Sequence, residues 1–295
     1  MSKPDLIPLK DMDRANPMIW DAQEAAQGVF LGSGESDDPL ALLGESAFQP
    51  SEEPRLPADF EVSAALRERL QQLQQVMATA AAGRNRPAPV DVSTLDIGDR
   101  EALHLMLGRG EVSGQLSLDG VSYQLTESLM TGLWQVSGSD DSEWLEVAPV
   151  PAVVERAANS LAPAPVPLPP ELPGVMNGLA VLAEVNEHAA GWSSEQQRNR
   201  VLNFTLMPMS PEDQQLLIDV LGRADLVLES GGFGQCKVLA TTVRHVWAVQ
   251  YENAMGNTIL DTLEIGRIPD AALAAQEDFE DSSRRLDQIL ETYLS

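Results

Sequence analysis

Two stretches of this chain echo each other. Leu107-Gly108-Arg109 recurs as Leu221-Gly222-Arg223, a separation of 114 residues (107 to 221). In that register Asp99 faces Asp213, Leu103 faces Leu217, Gly120 faces Gly234 and Leu125 faces Leu239. One deletion then brings Trp134-Gln135-Val136 onto Trp247-Ala248-Val249, and short insertions bring Leu145-Glu146-Val147 onto Leu263-Glu264-Ile265 and Pro151 onto Pro269. The matches are sparse but ordered, and they fall at turns and apolar positions, where backbone geometry and packing tolerate least change. A repeat of this length restricts the fold to two copies of one module.

Each copy opens with an apolar-periodic helix. Leu66, Leu70, Leu73 and Met77 mark the first over Ala64 to Ala80, and Leu179, Leu182 and Val185 mark the second over Val175 to Ala189. Short extended segments follow, Pro89 to Val92 and Val201 to Leu206. Ser210-Pro211-Glu212-Asp213 then starts a second helix, with Ser as cap, Pro in the first helical position and Asp as the capping-box acid. Gly222 and Gly108 end these helices, and a left-handed cap is expected at both. β-type runs come next, Glu111 to Leu118 and Ser122 to Glu127 in the first copy. In the second they are Asp225 to Glu229, Gln235 to Thr242, Val243 to Tyr251 and Thr258 to Glu264. A long helix over Pro269 to Tyr293 closes the chain. The expected fold class is α+β, with two tandem α-β-α-β-β-β-α modules and antiparallel sheets.

The boundaries follow from composition. Residues 1–60 carry twelve Asp/Glu against four Lys/Arg without sustained periodicity, which predicts a largely disordered acidic tail with short apolar islands at Met18-Ile19-Trp20 and Val29-Phe30-Leu31. Leu161 to Pro173 (LAPAPVPLPPELP) is too proline-dense for a helix or interior strand and reads as an extended linker. The divisions are therefore 1–60 (tail), 61–160 (first repeat), 161–173 (linker) and 174–295 (second repeat).

Charge and cysteine usage remove several functions. With 19 Lys+Arg against 45 Asp+Glu the formal charge is −26, a field that repels phosphate backbones, so no nucleic-acid partner is expected. The single Cys236 forms no internal disulfide, which fits a reducing compartment, the cytoplasm. Met1 to Trp20 lacks the basic start and apolar run of a signal peptide, and no stretch of about 18 apolar residues occurs, so no membrane insertion is expected.

No catalytic constellation emerges. His104, His188 and His245 are scattered without metal-ligand spacing. Gly231-Gly232-Phe233-Gly234 lies between two β-type runs instead of opening a helix, and so reads as a hairpin turn, not a phosphate cradle. Cys236 beside Lys237 has two readings, a thiol of lowered pKa or a small buried hydrophobe. Alternation over residues 244–251 puts Arg244, Val246, Ala248 and Gln250 on one face and His245, Trp247, Val249 and Tyr251 on the other. Glu264, Glu277, Asp278, Glu280 and Asp281 have oxygen ligands to offer, but on a helix they more often form a solvated face.

Asn203-Phe204-Thr205-Leu206-Met207-Pro208-Met209-Ser210-Pro211-Glu212-Asp213, followed by Gly232-Phe233-Gly234-Gln235-Cys236-Lys237, resembles the C-terminal region of the HupH/HyaF family of [NiFe]-hydrogenase expression/formation proteins. Arg244 to Tyr251, Thr262-Leu263-Glu264-Ile265 and Ala275-Gln276-Glu277-Asp278 continue the resemblance in order. It implies a non-catalytic accessory protein, without a cofactor, that holds a hydrogenase subunit precursor, large or small, before export. A thioredoxin-like accessory protein is a second implied partner. The expected partner contacts are Gly232, Phe233, Gly234, Cys236, Arg244, His245, Trp247, Gln250, Tyr251, Glu264, Glu277 and Asp278. The alternative is a nickel or iron-sulfur carrier using Cys236 and nearby acids.

Overall fold

The computed structural model describes residues 60–294, except 84–85, 171, 194, 196–197, 232–233 and 254. The expected acidic tail, apart from Phe60, lies outside the described residues. The first half contains α1 (Ala64–Ala81), β1 (Val90–Asp91), α2 (Ile97–Leu107), β2 (Val112–Leu118), β3 (Val121–Glu127), β4 (Leu133–Gly138), β5 (Glu143–Val147) and α3 (Ala152–Ser160). The second contains α4 (Gly178–Ala190), β6 (Arg200–Asn203), α5 (Pro211–Leu221), β7 (Leu226–Ser230), β8 (Gln235–Ala240), β9 (Val246–Glu252), β10 (Thr258–Ile265), a 3-10 turn (Asp270–Ala272) and α6 (Asp278–Leu294).

The chain is α+β and its ladder strands are antiparallel, and both halves contribute to one ten-stranded sheet. Its order is β1-β5-β4-β3-β2-β7-β8-β9-β10-β6. The halves meet where β2 pairs with β7, Gly114 opposite Leu228. Each half has four strands after its second helix: in the second they follow the four β-type runs expected there, in the first β4 and β5 add to the two named runs, and the three strands written for the module are one too few.

Pairing register also corrects the alignment of the halves. Leu125 sits opposite Val136 and Val238 opposite Val249, so Leu125 corresponds to Val238, and the deletion falls before it. The turns that follow then share a side-chain bonding pattern. Ser128 Oγ accepts from Met130 N (3.1 Å) and donates to Met130 O, as Thr241 Oγ1 does with Val243 N (3.1 Å) and Val243 O. In this register Gly132 corresponds to His245, and Trp134 to Trp247.

Helices cover both faces. On one, α1, α2 and α6 bury Leu66, Leu70, Leu103, Met106, Phe279 and Leu286 over the first half. On the same face α4 and α5 bury Val181, Leu182 and Leu217 against the second half. On the other, α3 and the 3-10 turn close over Trp134, Trp247, Val136 and Val249. The last helix thus belongs in sequence to the second half and in packing to the first.

That helix starts at Asp278, not Pro269. Residues between the 3-10 turn and α6 are held by tertiary bonds, Ala274 N to Pro149 O (2.9 Å) and Gln276 Nε2 to Ala80 O (3.1 Å), which override local helix propensity. The cap glycines also differ from expectation. Gly108 (φ 61°, ψ −169°) and Gly222 (φ 58°, ψ −171°) are extended with positive φ, a region open essentially to glycine alone, and not left-handed helical. The proline-rich linker lies against the second half, where Ala162 N donates to Thr242 O and Arg244 N to Ala162 O.

Candidate functional site

Of the residues expected at a contact surface, Gly232 and Phe233 lie outside the described residues. Gly234 ends the β7–β8 connection, where a Cβ would lie 2.5 Å from Glu252 O, a close backbone approach that requires glycine. Cys236 follows, only 7% exposed. It faces Tyr251 across the β8–β9 ladder, its thiol and the tyrosine hydroxyl in hydrogen-bond contact. Burial pushes the thiol up to about 11 and the Tyr251 hydroxyl up to about 12. Lys237 points its ammonium to Glu252 (3.9 Å) and does not lower the thiol. Of the two readings of Cys236, the buried hydrophobe stands.

Arg244 and His245 are not strand residues. They form the turn entering β9, and alternation begins only at Val246. Arg244 binds the linker, with Nε donating to Leu161 O (3.2 Å). From Val246 onward both faces of the strand are covered, so Trp247 is 2% exposed and Gln250 is fully buried. Both side-chain polar atoms of Gln250 lack partners among the described residues. Glu264, half-buried, accepts from Asn199 Nδ2 (2.9 Å). Glu277 and Asp278 are exposed at the start of α6, over the first half, where Asp278 raises the Glu127 carboxyl. Among the described residues, those expected at a contact surface do not form one surface.

Two of them do come together. His245 and Trp247 line a cleft of about 310 Å³ with Trp192, Glu155, Asn159 and Arg267. His245 holds φ 66°, rare for a residue with a Cβ, and its ring stacks on Trp192 at 4.1 Å between centroids and 29° between planes. Burial lowers its pKa, and the Arg244 charge adds to this against the raising effect of the Gly266 backbone bond. The cleft charges are already matched, Arg267 by Asp270 (2.6 Å) and Glu155 by Arg86 (2.6 Å).

Trp192 was not expected from the sequence. The signal was a tryptophan in the polar turn Gly191-Trp192-Ser193, where a large ring has no helix or strand face to bury it. A larger cleft, about 590 Å³, lies on the first half along His104, Arg109, Gln124, Gln135 and Glu143, and holds none of the expected residues. Its one acid is occupied, since Glu143 pairs with His104 (2.5 Å) and Arg100 (3.2 Å). Among the described residues no group of three or more His, Cys, Asp or Glu is placed to hold a metal ion. No described helix is long and apolar enough to cross a membrane.

Residues 175–293 match the C-terminal conserved region of the HupH hydrogenase expression protein. Among curated proteins, the hydrogenase expression/formation protein HupH of Rhizobium leguminosarum bv. viciae is 42% identical over 209 residues, covering 69% of this chain and 73% of the relative. HupH of Rhodobacter capsulatus is 34% identical over 89% of this chain and 96% of its own length. The hydrogenase-1 operon protein HyaF of Escherichia coli K12 is 31% identical over 68% and 71%. No solved structure matches the chain.

Proposed function

The chain belongs to the HupH family of hydrogenase expression/formation proteins, and on that premise we propose that it serves the maturation of a [NiFe] hydrogenase as a non-catalytic scaffold. It holds a hydrogenase subunit precursor, large or small, in the cytoplasm before export, with a thioredoxin-like accessory protein as a second partner. The observation that carries this reading is similarity along both halves, 89% of the chain, to a protein named for hydrogenase expression and formation.

The metal-carrier alternative rests on Cys236, and its environment speaks against it. A thiol held up near 11 by burial stays protonated at neutral pH, whereas metal ligation needs the thiolate. The acids that would complete such a site are dispersed, with Glu264 bonded to Asn199 and Glu277 on the far half.

Affinity purification from cells making a [NiFe] hydrogenase, with mass spectrometry and metal analysis of one eluate, tests the proposal. A metal-free complex with a hydrogenase subunit precursor is the expected result. Stoichiometric nickel or iron without such a subunit would overturn it in favour of the carrier.

A further inference from the structure

The two halves act as controls for each other along one row of the sheet. In the first half Ser113, Thr126 and Gln135 stand opposite one another on β2, β3 and β4. Val227, Leu239 and Ala248 form the matching row on β7, β8 and β9, buried in the core beneath α4 and α5. The fold therefore accepts apolar residues at these places, and the first half carries polar ones on a row that its helices leave open. Thr126 and Gln135 line the cleft of about 590 Å³, and Ser113 and Thr126 line a second one of about 180 Å³.

The two clefts adjoin, because Arg109, Gln124 and Thr126 line both, and together they make one trough over β4, β3, β2 and β7. Arg109 is exposed where they meet and has no hydrogen-bond or ion-pair partner among the described residues. Arg223, its counterpart after Gly222, is engaged within the chain. The acid of the larger cleft, Glu143, is taken by His104 and Arg100, and that of the smaller, Glu229, forms no ion pair with Arg109. The free guanidinium is thus an uncompensated positive charge at the centre of the trough.

A guanidinium in this state selects a carboxylate, which it can hold with two parallel N–H bonds. The formal charge of −26 repels small free anions, so a carboxylate is retained when it arrives on a segment that makes further contacts. The trough offers them. Leu105, 49% exposed, and Leu129 give the larger cleft an apolar wall, and the strands beside them carry side-chain amides and hydroxyls that can bond an extended backbone. Because Arg109 lies between the clefts, a segment running through both meets it with its middle, and so with a side chain instead of a terminal carboxylate.

Resting on the scaffold reading, we propose that the Arg109 trough binds an extended segment of the client through an internal Asp or Glu side chain, with a neighbouring apolar residue against Leu105 and Leu129.

The test is amide ¹H–¹⁵N NMR on the full chain, titrated with acetyl-Ile-Leu-Glu-Ser-Ser-amide. Saturable shifts at Gln124, Thr126 and Ser137 are expected, with Lys237 and Leu239 unmoved. Replacing the peptide's Glu by Gln, or the protein's Arg109 by Gln (Arg109→Gln), should weaken binding about tenfold or more, the loss of a charge-assisted pair. Arg156→Gln, which removes the same charge from an exposed position of α3 on the other face, should bind as wild type does. No saturable shift, equal affinity for the two peptides, or equal affinity of wild type and Arg109→Gln overturns the proposal. So does an equal loss in Arg156→Gln, which marks a general charge effect. Tighter binding of acetyl-Ile-Leu-Ser-Ser, whose only carboxylate is its C-terminus, overturns the side-chain assignment. Capture of a hydrogenase subunit precursor separates the two levels. Equal capture by wild type and Arg109→Gln sinks the trough and leaves the scaffold. Capture by neither, with the Glu peptide still bound, sinks the scaffold and the client with it, and leaves a site for acidic peptides.

Discussion

Asp213 is the residue whose replacement tells most about how the second half is held. It is fully buried, and its carboxylate accepts four backbone N–H groups: Met176 (2.8 Å), Asn177 (3.0 Å) and Gly178 (2.7 Å) at Oδ1, and Ser210 (2.9 Å) at Oδ2. One side chain thus closes the capping box of α5 and satisfies the start of α4. Burial opposes its ionisation, but the N–H groups of Gly178, Ser210 and Met176 outweigh it and hold the carboxyl below its ordinary 3.8. Hydrogen bonds to a charged group contribute about 1.5–3 kcal/mol each. Asp213→Ala strips all four and leaves the donors to whatever water can enter, so a loss of about 4–6 kcal/mol is expected. Asp213→Asn keeps an oxygen for the three α4 donors but turns an amide donor toward Ser210 N and loses the charge, costing about 2–3 kcal/mol. At about 2–4 °C per kcal/mol for a chain near this size, calorimetry should show the alanine variant melting about 10–20 °C lower. The sign with pH is fixed by the lowered pKa: the unfolded state binds the proton first as pH falls, so the contribution is present above about 3.8 and lost as pH drops through the folded value. Wild-type and Asp213→Asn stabilities, read by urea unfolding, should therefore converge in acid. An alanine variant losing less than about 1 kcal/mol, or a gap that widens in acid, would refute the reasoning.

Glu127 should behave oppositely. Burial pushes its carboxyl up to about 7, Glu111 and Asp278 add repulsion, and only Gly132 N (2.8 Å) opposes them. Its neutral form is the one that fits, so stability is full below the unfolded pKa near 4.5 and declines as pH rises through 7. Glu127→Gln keeps the Gly132 bond and should be about 1–3 kcal/mol more stable than wild type at pH 8, with the difference vanishing near pH 4. Cys236 should resist iodoacetamide at pH 8 in the folded protein and react fully in urea, as mass spectrometry would show. Rapid folded-state alkylation would contradict its burial and raised pKa. Trp134→Phe should destabilise by about 1 kcal/mol more than Trp247→Phe in matched urea unfolding, because only Trp134 has an N–H bond to lose. Equal losses would mean that Trp247 is not short of an acceptor.

Much of the fold could be read because the residues that encode it act locally. The Ser210-Pro211-Glu212-Asp213 start produced the expected capping box, and apolar spacing placed α1 within one residue of its end. The errors arose where distant contacts decide. Nothing local to Leu273 or Ala274 announces that Pro149 O will take the Ala274 N–H and stop a helix there. Likewise, identity alone aligned Leu125 with Leu239, although only strand pairing reveals which face each occupies. Site residues were harder. Alternation over 244–251 assumed a strand from its first residue, whereas the chain turns at Arg244-His245. Trp192 reaches His245 from a loop 53 positions earlier in sequence (192 to 245).

The packing also bears on what the conserved C-terminal region is. The family match spans 175–293, yet α6 buries Phe279, Leu286 and Leu290, each at most 4% exposed, against α1 and α2 of the first half. At about 1.5–3 kcal/mol per large apolar side chain, those three alone contribute about 5–9 kcal/mol, comparable to the whole stability of an ordinary domain. β7 depends on the first half as well, since its free edge is closed by β2 through five paired positions, from Val112 with Ser230 to Leu116 with Leu226. The C-terminal region therefore cannot present its surfaces independently of the residues before it. The cleft beside His245 is likewise built by both halves, because Pro149, Glu155 and Asn159 come from the first and its aromatic rings from the second.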